Sequence, residues 1–350
     1  MEVLPAFQVA MPGTIEAAVA ATRANGATPA NDATRAGGAS RFIAGGTDLM
    51  VNLRHGLGDP TTLIDLRGIP ELRALAFGEF GLSIGAAVTL AELARHAGLR
   101  ALYPAVATAA ASVGAPAHRE AGTVGGNLCL DTRCVFYNRS AWWREANGHC
   151  LKFAGDTCRV APTGTRCHAA FSGDLAPALL VHGADVEVAG PAGQRRLPLA
   201  DLYADNGAAH LRLTPGEFVV RVVLPPDPWP AAYAKARARG AIDFPLAGVA
   251  VALRAGAHGV SHLRVALTGT NPRPFLLTGT EALLGAPVDA GWRARLGKLV
   301  QQQVSPMRTT LLAAQYRRRV AAALAERLAG TLAGAAPDFS PTQGERPQDA

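Results

Sequence analysis

The chain has 350 residues, enough for two or three domains with buried cores. A composition of 49% hydrophobic and 17% charged residues, with 38 glycines and 24 prolines, excludes a disordered polar chain and a disulfide mini-protein. The net charge of +7 comes from arginines scattered along the whole chain, 31 of its 34 basic residues, and this spread argues against a nucleic-acid interface while leaving an acidic partner compatible.

Phe7 to Ala10 reads as a strand, and Thr14 after Pro12-Gly13 as the N-cap of a helix with Ile15, Ala18 and Val19 on one face. Residues 27–40 read as an extended surface loop. Further strands are expected at Arg41 to Ala44, Thr62 to Leu66 and Leu82 to Val88. Thr89 to Glu92 is a capping box opening a helix, and another helix should cover Pro104 to Val113 and stop at Gly114. Residues 128–170 then break the rhythm with no sustained period. Regular structure resumes with a helix over Ala176 to His182, a strand over Asp185 to Val188 with a Gly-Pro hairpin, and a strand over Phe218 to Leu224.

The prolines at 225, 226, 228 and 230 mark a domain boundary. Strands follow at Val249 to Leu253 and Leu263 to Leu267, then helices at Gly291 to Gln303 and Leu311 to Leu332. In the last helix Tyr316, Val320, Leu324 and Leu328 form a core-facing stripe, with Arg317 to Arg319 on a solvated face. The final residues, 333–350, read as a disordered tail. No segment reaches the roughly 18 apolar residues of a membrane span. Glu2 stands where a secretory leader needs basic residues, so a cytoplasmic chain with reduced cysteines is expected.

Two glycine turns carry the first chemical signal. Ile43-Ala44-Gly45-Gly46-Thr47-Asp48-Leu49 sets two glycines between a strand and a helix-compatible stretch, where unobstructed amides can reach a pyrophosphate. Thr123-Val124-Gly125-Gly126-Asn127 is a second such turn. Neither a G-x-G-x-x-G nor a P-loop pattern is present, so a dinucleotide here would be bound by another fold.

The second signal is the confinement of all five cysteines to Cys129–Cys167. Cys134, Cys150, Cys158 and Cys167 are separated by 15, 7 and 8 residues, unlike the short C-x2-4-C knuckles of structural zinc sites. Four thiolates on an irregular, aromatic-rich loop suit a 4Fe-4S cluster; zinc, aided by His149 or His168, and plain reduced cysteines stay open. Both histidines read more readily as ordinary loop residues, and Cys129 as lying outside the ligand set.

Taken together, the A-G-G-x-[DS] turn at Ala44 to Asp48 and the T-[IV]-G-G-N turn at Thr123 to Asn127 resemble those of the flavin subunits of the xanthine dehydrogenase, or molybdenum hydroxylase, family. Ser172-Gly173-Asp174-Leu175, Leu197-Pro198-Leu199, Pro215-Gly216-Glu217, Tyr233-Ala234-Lys235, Arg239 and Ile242-Asp243-Phe244 extend the resemblance in order through roughly residues 1–330. Within the family, Gly126 to Cys134, Trp142-Trp143 and Phe171 to Asp174 resemble the beta subunits of 4-hydroxybenzoyl-CoA reductases, which carry a cysteine inset.

The resemblance implies an α+β chain. A PCMH-type FAD-binding domain of two subdomains would occupy residues 1–228, with a cysteine-rich inset at 128–170, and a C-terminal domain of antiparallel sheet and helices would occupy 229–332. It implies FAD bound by both turns, with Asp174 near the ribose or adenine end and Lys235 near flavin or pyrophosphate oxygens. The readings beside these are an N-cap for Asp174 and a solvated surface position for Lys235. It implies a 4Fe-4S cluster on Cys134, Cys150, Cys158 and Cys167, shielded from water by Phe136, Trp142 and Trp143.

The implied partners are a molybdopterin large subunit, a small subunit with two 2Fe-2S clusters and ferredoxin as electron donor, assembled as a dimer of heterotrimers with no nucleic acid or membrane. The substrate chemistry, reductive dehydroxylation of 4-hydroxybenzoyl-CoA, would lie on the large subunit, and no catalytic residue is assigned here. Two readings compete: the FAD subunit of a xanthine-, CO- or aldehyde-type hydroxylase, and a zinc-stabilised binding module without enzymatic activity.

Overall fold

The computed structural model describes residues 4–25, 39–79 and 81–334. The expected loop at 27–40 falls almost entirely outside them, as do residues 335–350 of the expected tail.

Strands β1 (Gln8–Ala10), β2 (Ser40–Ile43) and β3 (Thr62–Asp65) form a small parallel sheet in the order β1-β3-β2. The central strand is buried along its whole length, as a run of Thr, Leu, Ile and Asp flanked on both sides requires. A second, antiparallel sheet has the order β4-β5-β8-β6-β7, from β4 (Leu75–Gly78), β5 (Gly81–Gly85), β6 (Asp185–Gly190), β7 (Gly193–Pro198) and β8 (Phe218–Leu224). The third is an antiparallel sheet, β12-β11-β10-β9, from β9 (Ala231–Ala236), β10 (Ala247–Gly256), β11 (Gly259–Thr268) and β12 (Phe275–Leu276). Mixed sheets with segregated helices give the α+β class expected.

The helices are α1 (Ile15–Asn25), α2 (Leu49–Arg54), α3 (Leu90–Arg95), α4 (Ala97–Leu102), α5 (Pro104–Ala111), α6 (Pro116–Ala121), α7 (Val124–Leu128), α8 (Ala141–Ala146), α9 (Leu175–Val181), α10 (Ala290–Gln303) and α11 (Ala314–Gly334). Thr14 caps α1 through its hydroxyl, and both arms of the Thr89–Glu92 capping box are present. Every residue of α9 is buried, because this helix packs both on α5 and α7 and on the third sheet. A helix enclosed on all sides is apolar all round. The third sheet packs on α10 and α11 around the fully buried Trp292, whose indole N–H donates to the Leu283 carbonyl at 2.7 Å.

Several boundaries differ from expectation. The strand expected over Leu82 to Val88 ends at Gly85, where the Leu72 carbonyl comes so close that a Cβ would stand 2.2 Å from its oxygen. The strand expected at Val249 to Leu253 starts earlier, at Ala247, and runs to Gly256, and α11 starts at Ala314 and runs through Gly334, two residues into the expected tail. The expected α11 stripe holds at Val320, Leu324 and Leu328, which pack in the core, and fails at its first member. Tyr316 is exposed, whereas Arg317 is fully buried beside Ala321, Leu324, Ala325 and Leu328. Its guanidinium donates to the carbonyls of Leu246, Met307 and Gly269 and to the Thr309 hydroxyl, so one arginine of the supposed solvated face is a core tie.

Candidate functional site

The two glycine turns meet. Gly45 packs against the chain that leads into the second turn, and a Cβ there would stand 1.9 Å from the Ala121 carbonyl oxygen. Gly46 has a φ of 67°, a left-handed conformation that favours glycine. The amides of Gly45, Gly46, Thr47, Asp48 and Leu49 donate to no acceptor among the described residues, and Thr47 is exposed. This turn therefore has amides to offer a ligand.

The second turn is built differently. The amides of Val124 and Gly125 donate to the carbonyls of Val88 and Ala86, and those of Gly126 and Asn127 to the hydroxyl and carbonyl of Thr123. Gly125 is required by packing, since its Cβ would stand 2.8 Å from that of Ala86. Only Gly126 of this turn is exposed. The turn serves as a brace with one open edge.

The Asn127 side-chain carbonyl accepts from the Leu175 amide at the start of α9, and a Cβ on Gly173 would stand 2.6 Å from the Asn127 main-chain oxygen. Ser172 to Leu175 is thereby fastened to the second turn. Asp174 is buried and its side chain caps nothing. Instead it accepts from the Tyr233 hydroxyl at 2.6 Å and from the Lys235 ammonium at 3.0 Å. Residues two apart on β9 share a face, which brings both donors to one carboxyl group. Burial pushes the Asp174 carboxyl up, and the neighbouring Lys235 and Tyr233 offset this only in part. Lys235, only 4% exposed, is not the solvated surface lysine weighed above.

Four cysteines, Cys134, Cys150, Cys158 and Cys167, are buried, and none forms a disulfide. Cys134, Cys150 and Cys167 share an apolar pocket with Leu57, Tyr137 and Ala169, bordered by Phe136, Phe153, Val160 and Ala208. Burial pushes the Cys134 thiol up to about 12, with repulsion from the other three thiolates adding to it, and the Cys167 thiol up to about 11. The four thiols thus lie within electrostatic reach of one another, and those of Cys134 and Cys167 stay protonated unless a cation enters. Cys129 packs instead against the main core.

Among the described residues no three His, Cys, Asp or Glu side chains close around a point as they would on a single metal ion. The aromatic shield is in part the one expected: Phe136 borders the pocket with its ring against that of Trp143, but Trp142 is 75% exposed on α8, and Tyr137 and Phe153 stand at the pocket in its place.

One short segment joins this pocket to the first turn. Asp48 accepts from the Asp131 amide at 3.3 Å and pairs with the Arg133 guanidinium, which lies 4.6 Å from the centre of the Phe244 ring. Residues 131–134 thereby connect the first glycine turn to Cys134. The partners Asp131, Arg133, Tyr137 and Lys152 went unassigned from sequence.

Comparison with known proteins agrees with this layout. A family model described as the FAD binding domain in molybdopterin dehydrogenase matches residues 5–227, and one described as the CO dehydrogenase flavoprotein C-terminal domain matches residues 231–332. The aldehyde oxidoreductase FAD-binding subunit PaoB of Escherichia coli K12 is 32% identical over 261 residues, 72% of this chain and 81% of the relative. The carbon monoxide dehydrogenase medium chain of Hydrogenophaga pseudoflava is 27% identical over 253 residues, 71% and 73% of the two chains. A chain of the solved Cu,Mo-CO dehydrogenase superposes with a TM-score of 0.74 at 23% identity, covering 95% of this chain and 100% of that one. The helix and sheet layout, the paired glycine turns and the two family matches along nearly the whole length lead to one conclusion: the chain belongs to the FAD-binding subunits of the xanthine dehydrogenase and CO dehydrogenase type of molybdenum hydroxylases.

Proposed function

We propose that this chain is an electron-transfer subunit that holds FAD at its glycine turns and a 4Fe-4S cluster on Cys134, Cys150, Cys158 and Cys167. It would serve a molybdenum enzyme that reductively dehydroxylates 4-hydroxybenzoyl-CoA with electrons from ferredoxin. The observation that carries the reading is the gathering of three buried, unpaired thiols, Cys134, Cys150 and Cys167, in one apolar pocket tied to the first turn through residues 131–134, with the buried Cys158 within electrostatic reach of them. A four-iron cluster bonds each thiolate to a different iron, so its ligands stand further apart than those around one zinc ion.

For FAD, the open amides of residues 45–49 suit pyrophosphate oxygens, and the exposed edge at Gly126 and the Lys235 ammonium lie on elements that converge there. Flavin supplies exchange of one or two electrons and the cluster exchange of one, which suits single-electron donors. The chain's own residues bind, orient and exclude water. The molybdopterin subunit, the small 2Fe-2S subunit and the dimer of heterotrimers follow from the same reading. A second reading, a subunit of an aldehyde-oxidising enzyme, is favoured by the 32% identity to the E. coli aldehyde oxidoreductase subunit.

Purification of the complex without oxygen tests the proposal. A flavin spectrum, a broad shoulder near about 400 nm and about four irons per chain are expected. Cys150→Ser should abolish the iron signal with FAD retained, and Cys129→Ser should spare it. Zinc in place of iron, or no flavin, refutes the proposal. Turnover of 4-hydroxybenzoyl-CoA against aldehydes decides between the two substrate readings.

A further inference from the structure

Lys152 is one of only three lysines in a chain with 31 arginines, and its side chain is 1% exposed. It lies two residues after Cys150, in the tight turn where the Phe153 and Gly155 amides donate to the Cys150 carbonyl. Its ammonium donates to Asp131 Oδ1 at 2.5 Å and to the Thr132 hydroxyl at 2.6 Å, and sits 4.1 Å from the centre of the Tyr137 ring. That ring packs with Cys134, Cys150 and Cys167. Asp131 also accepts from the Tyr137 hydroxyl at 2.9 Å, while its amide donates to Asp48 of the first glycine turn.

The pair is therefore held against the Tyr137 ring that walls the thiol pocket, while the Asp131 amide reaches the glycine turn. Burying an ion pair is weak evidence for stability, because desolvation offsets the attraction, so its presence beside the thiol pocket calls for another role.

We propose that Lys152 is a positioning residue that sets the potential of the centre held by the four cysteines, with Asp131 limiting its effect. This rests on the cluster reading given above. Adding one electron to a thiolate-held cluster adds one negative charge, and a buried cation favours the reduced state in proportion to how poorly water screens it. The paired carboxylate subtracts from that field and keeps the ammonium in place.

The test uses the oxygen-free complex carrying Lys152→Met or Asp131→Asn, with iron and FAD content and an EPR-monitored redox titration as readouts. Lys152→Met is expected to lower the reduced-to-oxidised ratio at a fixed potential by about tenfold, which is 59 mV for a one-electron couple. Asp131→Asn should move the ratio in the opposite direction, because the ammonium then acts unopposed. An unchanged ratio in iron-loaded Lys152→Met, or both variants moving together as a merely loosened pocket would make them, overturns the proposal. If Lys152→Met fails to load iron, Asp131→Asn decides alone: a raised ratio supports the role, and an unchanged or lowered one refutes it. A wild-type complex with flavin but no iron sinks the cluster reading itself, and this inference with it.

Discussion

Replacing Gly45 with alanine puts a methyl group 1.9 Å from the Ala121 carbonyl oxygen, 2.5 Å from its carbon and 2.9 Å from the Gly122 nitrogen. All three are backbone atoms, so no side chain can rotate to make room. Real Cβ contacts stay beyond about 3.0 Å, which means the two turns must separate by about 1 Å. Overpacking of this kind costs about 1–3 kcal/mol. If the turns are held together in order to clasp one ligand, that cost falls on the bound state, and each ~1.4 kcal/mol weakens binding tenfold. Gly45→Ala should therefore bind FAD ten- to a hundredfold more weakly, measured by flavin fluorescence titration of the apoprotein. Gly13→Ala, where a Cβ meets nothing within 4 Å, should match the wild type. Wild-type FAD affinity in a folded Gly45→Ala protein would refute the claim that contact between the turns organises the site.

Arg317→Met removes four donated hydrogen bonds and leaves the carbonyls of Leu246, Met307 and Gly269 short of a donor, at a cost of ~3 kcal/mol or more. Urea unfolding should show it, and a loss below ~1 kcal/mol would contradict a tying role. His182 is buried with neither ring nitrogen bonded and its ring edge-on to Tyr103, and burial, assisted by Arg264, holds its pKa down at about 4. Below pH about 6.5 the unfolded chain takes up a proton that the folded chain refuses until about 4, so stability falls as the pH drops through that window. His182→Leu should lose less stability than the wild type between pH 7 and 4, by ~3 kcal/mol, as the shift in urea midpoint will report. Parallel pH profiles for the two proteins would contradict a buried neutral imidazole.

The turns were legible in the sequence because glycine is a conformational statement: Gly46 needs a positive φ, and Gly45 and Gly125 need the absence of a Cβ. The capping box at Thr89 and the strand Phe218–Leu224 were legible for similarly local reasons. Which turn keeps its amides free was not legible, since the acceptors for the second turn come from Ala86 and Val88, about 40 residues away. Arg317 was misread because its partners lie on three other segments, and helical spacing says nothing about carbonyls that need a donor. The signal that could have found Asp131 lies in the lysines. Where nearly every basic residue is arginine, the lysines that remain mark places where a compact point charge is needed, and two of the three are buried against a carboxylate.

Those two lysines stand in the same arrangement. Asp131 takes Tyr137 and Lys152, and Asp174 takes Tyr233 and Lys235. The balance of forces within the two knots is nevertheless opposite. At Asp131 burial raises the carboxyl, but Lys152, His210 and Tyr137 together outweigh it and hold the group below the usual carboxylate range. At Asp174 burial prevails over Lys235 and Tyr233, and the carboxyl is held above it. A carboxylate held low keeps its ammonium committed, which suits a fixed charge beside the thiol pocket. The Asp174 knot is fastened to the second glycine turn through Asn127 and Leu175, and the Asp131 knot to the first through Asp48. One lysine knot thus borders the second glycine turn, and the other joins the cysteine pocket to the first.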